Sequence, residues 1–301
     1  ASITMLPSAS SLIMLRTLQP PAGLKRFTFA GFGDPVFNPE QVGALRETRQ
    51  ERSLTVANKG NVEVNVRGIR LISKGDLDNR RILSCRLESL SSLPDTADEI
   101  RIIGTAVGAD LTQDIFLGKQ ASEHQVKTMN LADRRIIAFA THGLVPGDLD
   151  GLDQPAIALS SPAATHEEED GLLTMGEIMK LRLNAEWVVL SACNTAAADG
   201  SGAEALSGLV RAFFYAGTRS VLASMYPVET TSARKLVTTT FKYQMEDPAV
   251  SRARVLQKAM LDVMTGSGLV DPATGQIVCS YAHPLFWAPF ILVGDTGGHS
   301  E

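Results

Sequence analysis

The sequence has 301 residues, of which 44% are hydrophobic and 20% are charged, and this is enough apolar material to bury a large core. Its formal net charge is −5 and its Lys and Arg residues are scattered, so it lacks the basic patch that displaces counterions from phosphates, and we expect no nucleic-acid partner. No apolar run reaches the roughly 18–20 residues that span a bilayer, so we expect no membrane partner and a cytoplasmic location.

Six short apolar runs, each bounded by turn residues, predict buried strands. In chain order they are Arg26–Ala30, Ile136–Thr141, Ala156–Leu159, Trp187–Ser191, Ser220–Ser224 and Phe290–Val293. Two stretches have helical period, and their apolar faces are Leu206, Leu209, Val210 and Phe213, and Val255, Leu256, Ala259, Met260 and Val263. Because strands alternate with helices, the sequence predicts an α/β fold with a mostly parallel sheet that helices cover on both sides.

One segment departs from this alternation of strands and helices. Leu54–Ile72 alternates apolar and polar residues around Asn58-Lys59-Gly60-Asn61, which predicts a β-hairpin inserted in the first half of the chain. Further on, a loop is expected to lead into a helix that Asp95 or Thr96 caps, with Glu99 in its first turn.

The three cysteines, Cys85, Cys193 and Cys279, are odd in number and far apart in the sequence. That pattern does not suit a disulfide framework and is typical of a reducing compartment. At least one thiol is therefore available for chemistry.

Two predicted strands end in residues that can carry out chemistry. The run from Ile136 delivers His142 and then Gly143, and the run from Trp187 delivers Cys193. If the two strands are parallel and near neighbours, both side chains emerge at the same rim of the sheet, where active residues gather in such folds.

A thiol paired with an imidazole suggests a cysteine nucleophile. A thiol attacks only as thiolate, so His142 is expected to take its proton and later to protonate the leaving amine. Gly143 lets its backbone N–H approach a developing oxyanion, alongside the N–H of Cys193. His142 and Cys193 are 51 residues apart, which is similar to the spacing of about 50 in caspases, although the caspase Gln-Ala-Cys signature is absent.

The structural alternative is equally open on these residues alone. A cysteine that ends an apolar strand is more often a buried packing residue, and a lone histidine after a strand is more often structural. Two such residues at neighbouring strand ends bring the two interpretations to about even weight.

The segments Ala140-Thr141-His142-Gly143 and Ser191-Ala192-Cys193-Asn194-Thr195 resemble the two signatures of the CHAT family of bacterial proteins, which is related to caspases and separase. Five further segments match the family pattern in order along nearly the whole chain. They are Leu6-Pro7-Ser8, Leu93-Pro94-Asp95 with Glu99, Gly202–Gly217, Ser224-Met225-Tyr226-Pro227-Val228 and His283–Phe290.

The resemblance implies a caspase-like fold, with a degenerate amino-terminal half at 1–120 and a catalytic half at 121–301. It implies a cysteine endopeptidase that acts on a protein substrate under the control of a regulatory repeat domain or an activator protein, without a cofactor or metal. The family often has Trp where Tyr226 stands, and an acidic pair nearby of which only Glu229 remains. Glu229 and Ser191 are predicted to contact the substrate, and the alternative for Glu229 is a carboxylate that starts a helix.

Other polar residues have weaker claims. His166 with Glu167, Glu168, Glu169 and Asp170 could bind a divalent cation, but a solvated loop is the better interpretation of this charge run. We interpret His283 as a packed histidine, with the substrate groove as its alternative, and Cys85 and Cys279 as structural.

Two rival functions remain at this point. A latent or inactive CHAT-like domain would act as a protein-interaction or signalling module. A small-molecule hydrolase on the same scaffold would need a closed apolar pocket instead of an extended groove.

Overall fold

The computed structural model describes residues 27–42, 66–67, 86–191, 201–225, 228–271 and 274–296. Within these ranges the strands are β1 (Phe27–Gly33), β2 (Val66–Arg67), β3 (Ile115–Leu117), β4 (Arg134–Ala140), β5 (Gly143–Leu144), β6 (Ala156–Ala158), β7 (Leu172–Thr174), β8 (Trp187–Leu190), β9 (Ser220–Ser224), β10 (Val228–Glu229), β11 (Leu269–Val270), β12 (Ile277–Cys279) and β13 (Phe290–Gly294). The α-helices are α1 (Asp95–Ala106), α2 (Glu123–Thr128), α3 (Pro162–Thr165), α4 (Met175–Ile178), α5 (Ser201–Tyr215), α6 (Thr230–Glu246) and α7 (Arg252–Thr265).

A six-stranded sheet in the order β13-β9-β8-β4-β1-β3 forms the centre of the molecule. Every neighbouring pair from β3 to β9 is parallel, and β13 is antiparallel to β9. All residues of β8 and β9 are buried, as expected for parallel strands with both faces covered. The predicted mixed α/β fold with a mostly parallel sheet is confirmed, and it is consistent with a caspase-like fold.

Side chains alternate across the sheet and divide the core into two layers. Ile137 and Phe139 of β4 pack with residues of α2, α4 and α5, whereas Ile136 and Ala138 pack with residues of α1, α6 and α7. The predicted helical faces are buried at Leu209, Val210 and Phe213 of α5 and at Val255, Leu256, Ala259 and Val263 of α7, and Met260 is partly buried. The side chain of Leu206 lies outside the described residues.

The third predicted strand joins a different sheet. Residues 156–158 form β6, which lies between β5 and β7 in a three-stranded antiparallel sheet. The reason is the connection: β5 leads to β6 without a crossover helix, and a parallel arrangement needs such a crossover.

Two sequence expectations on the first half are only partly covered. Of the predicted hairpin, the structure describes only 66–67, and this strand pairs antiparallel with β10. The sheet takes β1 and β3 from the predicted amino-terminal half and β4, β8, β9 and β13 from the other half. The boundary at residue 120 stays a prediction.

The predicted cap of α1 is wrong. The N-cap residue is Pro94, and no side chain caps the helix. The hydroxyl of Thr96 instead donates to the carbonyl of Leu93 at 2.6 Å and accepts from the backbone N–H of Asp34 at 2.7 Å. Thr96 therefore ties the helix to the turn after β1.

Across the described ranges, every helix is too short or too polar to cross a membrane.

Candidate active site

His142 follows the end of β4 and is held there by β6. The hydroxyl of Thr141 donates to the carbonyl of Ala158 at 2.7 Å, and the N–H of Ala158 donates to the carbonyl of His142 at 2.9 Å. His142 is only 1% exposed. The strand end that carries the imidazole is therefore fixed by hydrogen bonds on both sides of the peptide that joins Thr141 to His142.

Two segments from earlier in the chain contact the imidazole. Nε2 of His142 lies 2.8 Å from the carbonyl oxygen of Ser91, and the ring of Phe37 lies 5.5 Å from the imidazole between centroids. Because a carbonyl oxygen only accepts, this contact assigns the proton to Nε2, and Nδ1 of the neutral ring is then the acceptor nitrogen. A backbone carbonyl thus orients His142.

Sequence reasoning did not identify Ser91 or Phe37. Neither residue has a side chain that suggests chemistry, and a backbone carbonyl gives no sequence signal at all.

The strand that leads to Cys193, β8, is the direct parallel neighbour of β4, which meets the condition on which the predicted His–Cys pair depends. Ile136 pairs with Trp187 and Phe139 with Leu190, and the N–H of Ser191 donates to the carbonyl of Phe139 at 2.9 Å. Ser191 is buried and is the last described residue before a gap. Cys193 lies outside the described residues, so its contact with His142 stays a prediction.

Gly143 is the first residue of β5 and lies opposite Ile157 of β6. The N–H of Ala158 donates to the carbonyl of His142, so these two residues form a hydrogen-bonded pair. Hydrogen-bonded and non-hydrogen-bonded pairs alternate along an antiparallel ladder, so the next pair, Gly143 and Ile157, is not hydrogen-bonded. The N–H of Gly143 is therefore directed away from β6. An N–H group that already donates to the neighbouring strand could not also donate to an oxyanion, so this orientation is required of an oxyanion donor. The oxyanion role of Gly143 remains a prediction.

Glu229 caps the amino end of α6. Its carboxylate accepts from the N–H groups of Thr231 and Ser232 at 2.8 and 2.7 Å and from the hydroxyl of Tyr281 at 3.1 Å. Burial and the neighbouring Glu229 carboxylate raise the pKa of Tyr281. This is the helix-start alternative that the sequence offered, and substrate contact by Glu229 or Ser191 stays a prediction.

The acidic loop is tied to the protein surface. The carboxylate of Glu167 accepts from the hydroxyl of Ser122 at 3.1 Å, Glu169 lies 3.3 Å from His124, and Asp170 accepts from the N–H of Leu172 at 2.9 Å. Among the residues that the structure describes, no group of three or more His, Cys, Asp or Glu side chains is arranged to hold a metal ion.

The prediction that His283 is packed is wrong. His283 is exposed, and its Nδ1 accepts from the N–H of Leu285 at 3.2 Å, so it starts the 3-10 turn Pro284–Phe286. Cys279 is a partly exposed free thiol, and Cys85 lies outside the described residues.

Comparison with protein families shows a match over nearly the whole chain. The family model for the CHAT domain, a family related to caspase-like proteases, matches residues 1–295. A search of the curated proteins finds no match. The matched range includes His142, Cys193 and the strands that lead to both.

Proposed function

The chain belongs to the CHAT domain family, and we propose that it is a cysteine endopeptidase in which Cys193 is the nucleophile and His142 transfers the proton. The observation that carries the proposal is the adjacency of β4 and β8, with Ser191 bonded to Phe139 at 2.9 Å. The chain reaches His142 three residues after Phe139 and Cys193 two residues after Ser191. A link of two residues spans at most about 7 Å, so the short distance along the chain from each strand end supports the proposal that the thiol contacts the imidazole.

The reaction proceeds in two halves. Nδ1 of His142 takes the thiol proton, and the thiolate of Cys193 attacks the scissile carbonyl carbon. The oxyanion accepts hydrogen bonds from the N–H groups of Gly143 and Cys193. As the carbon–nitrogen bond breaks, the imidazolium gives its proton to the leaving amine and a thioester remains. Water then attacks the thioester, His142 takes a proton from that water, and the thiol is regenerated as the acid leaves.

The carbonyl of Ser91 has a defined role in this scheme. By accepting a hydrogen bond from the Nε2–H group, the carbonyl keeps Nδ1 as the nitrogen that faces the reaction, and its negative end stabilises the imidazolium that forms. An orienting carbonyl does the work of the third residue in a catalytic triad, so two side chains are sufficient for the proton transfers.

The substrate we propose is a protein, and a regulatory repeat domain or an activator protein would control access to the site. One observation favours the second candidate function, a latent or inactive CHAT-like interaction module. His142 is 1% exposed, so a peptide reaches the imidazole only after residues around it move.

The test is intact-mass analysis after treatment with peptidyl acyloxymethyl ketones that carry Arg, Lys, Leu or Asp at P1. We expect one adduct on the wild type, none on Cys193→Ala, and strongly slowed labelling of His142→Ala, with circular dichroism to show that each variant is folded. A small alkylating agent serves as a second probe. Labelling of Cys193 by that agent in a His142-dependent way, without any peptidyl adduct, would favour the latent module. An adduct on Cys279 instead of Cys193 would contradict the proposal.

A further inference from the structure

Two loops contact His142, and the side chain of Gln41 joins them. We infer that Gln41 is a positioning residue that holds the Ser91 carbonyl against Nε2 of His142. The inference rests on the proposed function, since it concerns the same imidazole. Gln41 itself touches neither His142 nor the substrate, and it acts through the backbone of the neighbouring loop.

The geometry of Gln41 is specific. Its amide oxygen accepts from the N–H of Phe37 at 2.8 Å, and its amide nitrogen donates to the carbonyl of Leu90 at 3.0 Å. A flipped amide would place acceptor against acceptor and donor against donor, so these partners fix its orientation. Phe37 packs on the imidazole, and Leu90 directly precedes Ser91, whose carbonyl accepts from the imidazole.

A second link lies beside the first. The amide nitrogen of Asn38 donates to the carbonyl of Glu88 at 3.0 Å, and its amide oxygen accepts from the N–H of Gln41 at 3.0 Å. This link joins the same two loops, but Asn38 bonds to Glu88, three residues before Ser91, whereas Gln41 bonds to Leu90, the residue directly before Ser91. Asn38→Asp keeps the oxygen that accepts from Gln41 and breaks only the bond to Glu88, so it provides a matched control for the general effect of loosening the loops.

The two loops are not equally dependent on Gln41. The segment with Phe37 has other anchors, because the hydroxyl of Ser161 donates to the carbonyl of Phe37 at 2.6 Å and the N–H of Val36 donates to the hydroxyl of Ser160 at 2.9 Å. Phe37 is fully buried. Ser91, in contrast, is exposed. Loss of the Gln41 side chain should therefore displace the Ser91 carbonyl more than the Phe37 ring.

The chemical consequence is a defect that depends on pH. Below the usual thiol pKa of about 8.5, the thiolate of Cys193 forms only with help from His142, whereas at pH 9 much of it forms without help. A misplaced Ser91 carbonyl weakens the assistance from His142 and so lowers the reactivity of Cys193 at pH 6 more than at pH 9. A purely structural role for Gln41 would lower both rates by the same factor.

Two variants separate the bonds of Gln41. Gln41→Glu keeps the oxygen that accepts from Phe37 but places a carboxylate oxygen against the carbonyl of Leu90, so it breaks the second bond only. Gln41→Met keeps the length of the side chain and removes both bonds. The measurement is the rate of Cys193 alkylation by iodoacetamide, followed by mass spectrometry on the full chain at pH 6 and pH 9.

We expect both Gln41 variants to react about five- to tenfold more slowly than the wild type at pH 6 and less than about twofold more slowly at pH 9, because both lose the hydrogen bond to Leu90. The control Asn38→Asp should stay close to the wild type in its pH dependence. Circular dichroism shows whether each variant is folded, and Gln41→Glu carries the test if Gln41→Met does not fold.

The outcomes separate the inference from the proposed function. If His142→Ala reacts as fast as the wild type at pH 6, the proposed function fails and the inference fails with it. If the wild type depends on His142 but both Gln41 variants match it at both pH values, only the inference is overturned. The inference is also overturned if the Gln41 variants are slowed equally at the two pH values, or if Asn38→Asp shows the same pH-dependent loss.

Discussion

Replacing Thr141 with Val removes one hydroxyl next to His142 and changes the shape of the side chain very little. Thr141 is 1% exposed, and its acceptor Ala158 is fully buried. A buried carbonyl that loses its donor costs about 1–3 kcal/mol, and the added methyl group contributes about 0.8 kcal/mol of favourable burial. The expected net loss of stability for Thr141→Val is therefore about 1 kcal/mol, within a range of about 0.2–2.2 kcal/mol.

The assay has two parts. In a chain of 301 residues a loss of about 1 kcal/mol lowers the Tm by about 2 °C, and urea unfolding should show a lower midpoint with an unchanged slope. The rate of Cys193 alkylation at pH 6 should also fall, because the strand end that carries His142 is held less firmly. The fall should be limited to about two- to tenfold, since the N–H of Ala158 still donates to the carbonyl of His142.

Thr141→Ser is the matched control, since it keeps the hydroxyl and loses only a methyl group. It should be destabilised by about 1 kcal/mol and keep the alkylation rate of the wild type. A Thr141→Val chain as stable and as reactive as the wild type would refute the view that this hydroxyl fixes the end of β4.

Two further predictions concern stability. Gly217 has a φ of +108°, and an added Cβ would lie 2.3 Å from the carbonyl oxygen of Leu183, so Gly217→Ala should lower the free energy of unfolding by about 3 kcal/mol or more. The control is Gly275→Ala, whose Cβ would meet nothing within 4 Å and which should cost about 1 kcal/mol. Thermal or urea unfolding measures both, and equal losses would contradict this prediction. Burial raises the pKa of Glu123 from 4.5 to about 7, so its contribution to stability is present below pH 4.5 and is lost as the pH rises through about 7. Lys127→Met removes the ammonium 2.5 Å from this carboxylate and should destabilise the protein by about 2–3 kcal/mol at pH 8 and less at pH 5, and a loss independent of pH would disprove the explanation.

The central sheet was predictable because its strands are short, apolar and buried on both faces. A run such as Val188–Leu190 has no polar face to present to water, so it fits only the interior of a covered sheet. The same signal could not place β6, because burial of 156–158 says nothing about which sheet the strand joins. That choice depends on the connection from β5, which turns back without a helix.

The site was predictable to the extent that it is built at strand ends. His142 lies after β4, and the strand toward Cys193 is its neighbour, because parallel strands deliver their carboxyl ends to one edge. The Ser91 carbonyl and Gln41 left no trace in the pattern, since any residue has a carbonyl and glutamine is common on surfaces. Glu229 was ambiguous for another reason: a carboxylate at a helix start and one in a substrate groove have the same sequence signature.

Position and orientation of the imidazole come from different parts of the chain, and this separates stability from reactivity. The sheet sets where His142 lies, through Thr141 and Ala158, in the buried core where any change costs folding free energy. The loops set which nitrogen carries the proton, through an exposed residue at Ser91 and a partly buried amide at Gln41. Bonds at exposed loops contribute less to global stability than bonds in the core. Variants at Thr141 should therefore change the Tm together with the rate, whereas variants at Gln41 should change mainly the rate and its pH dependence.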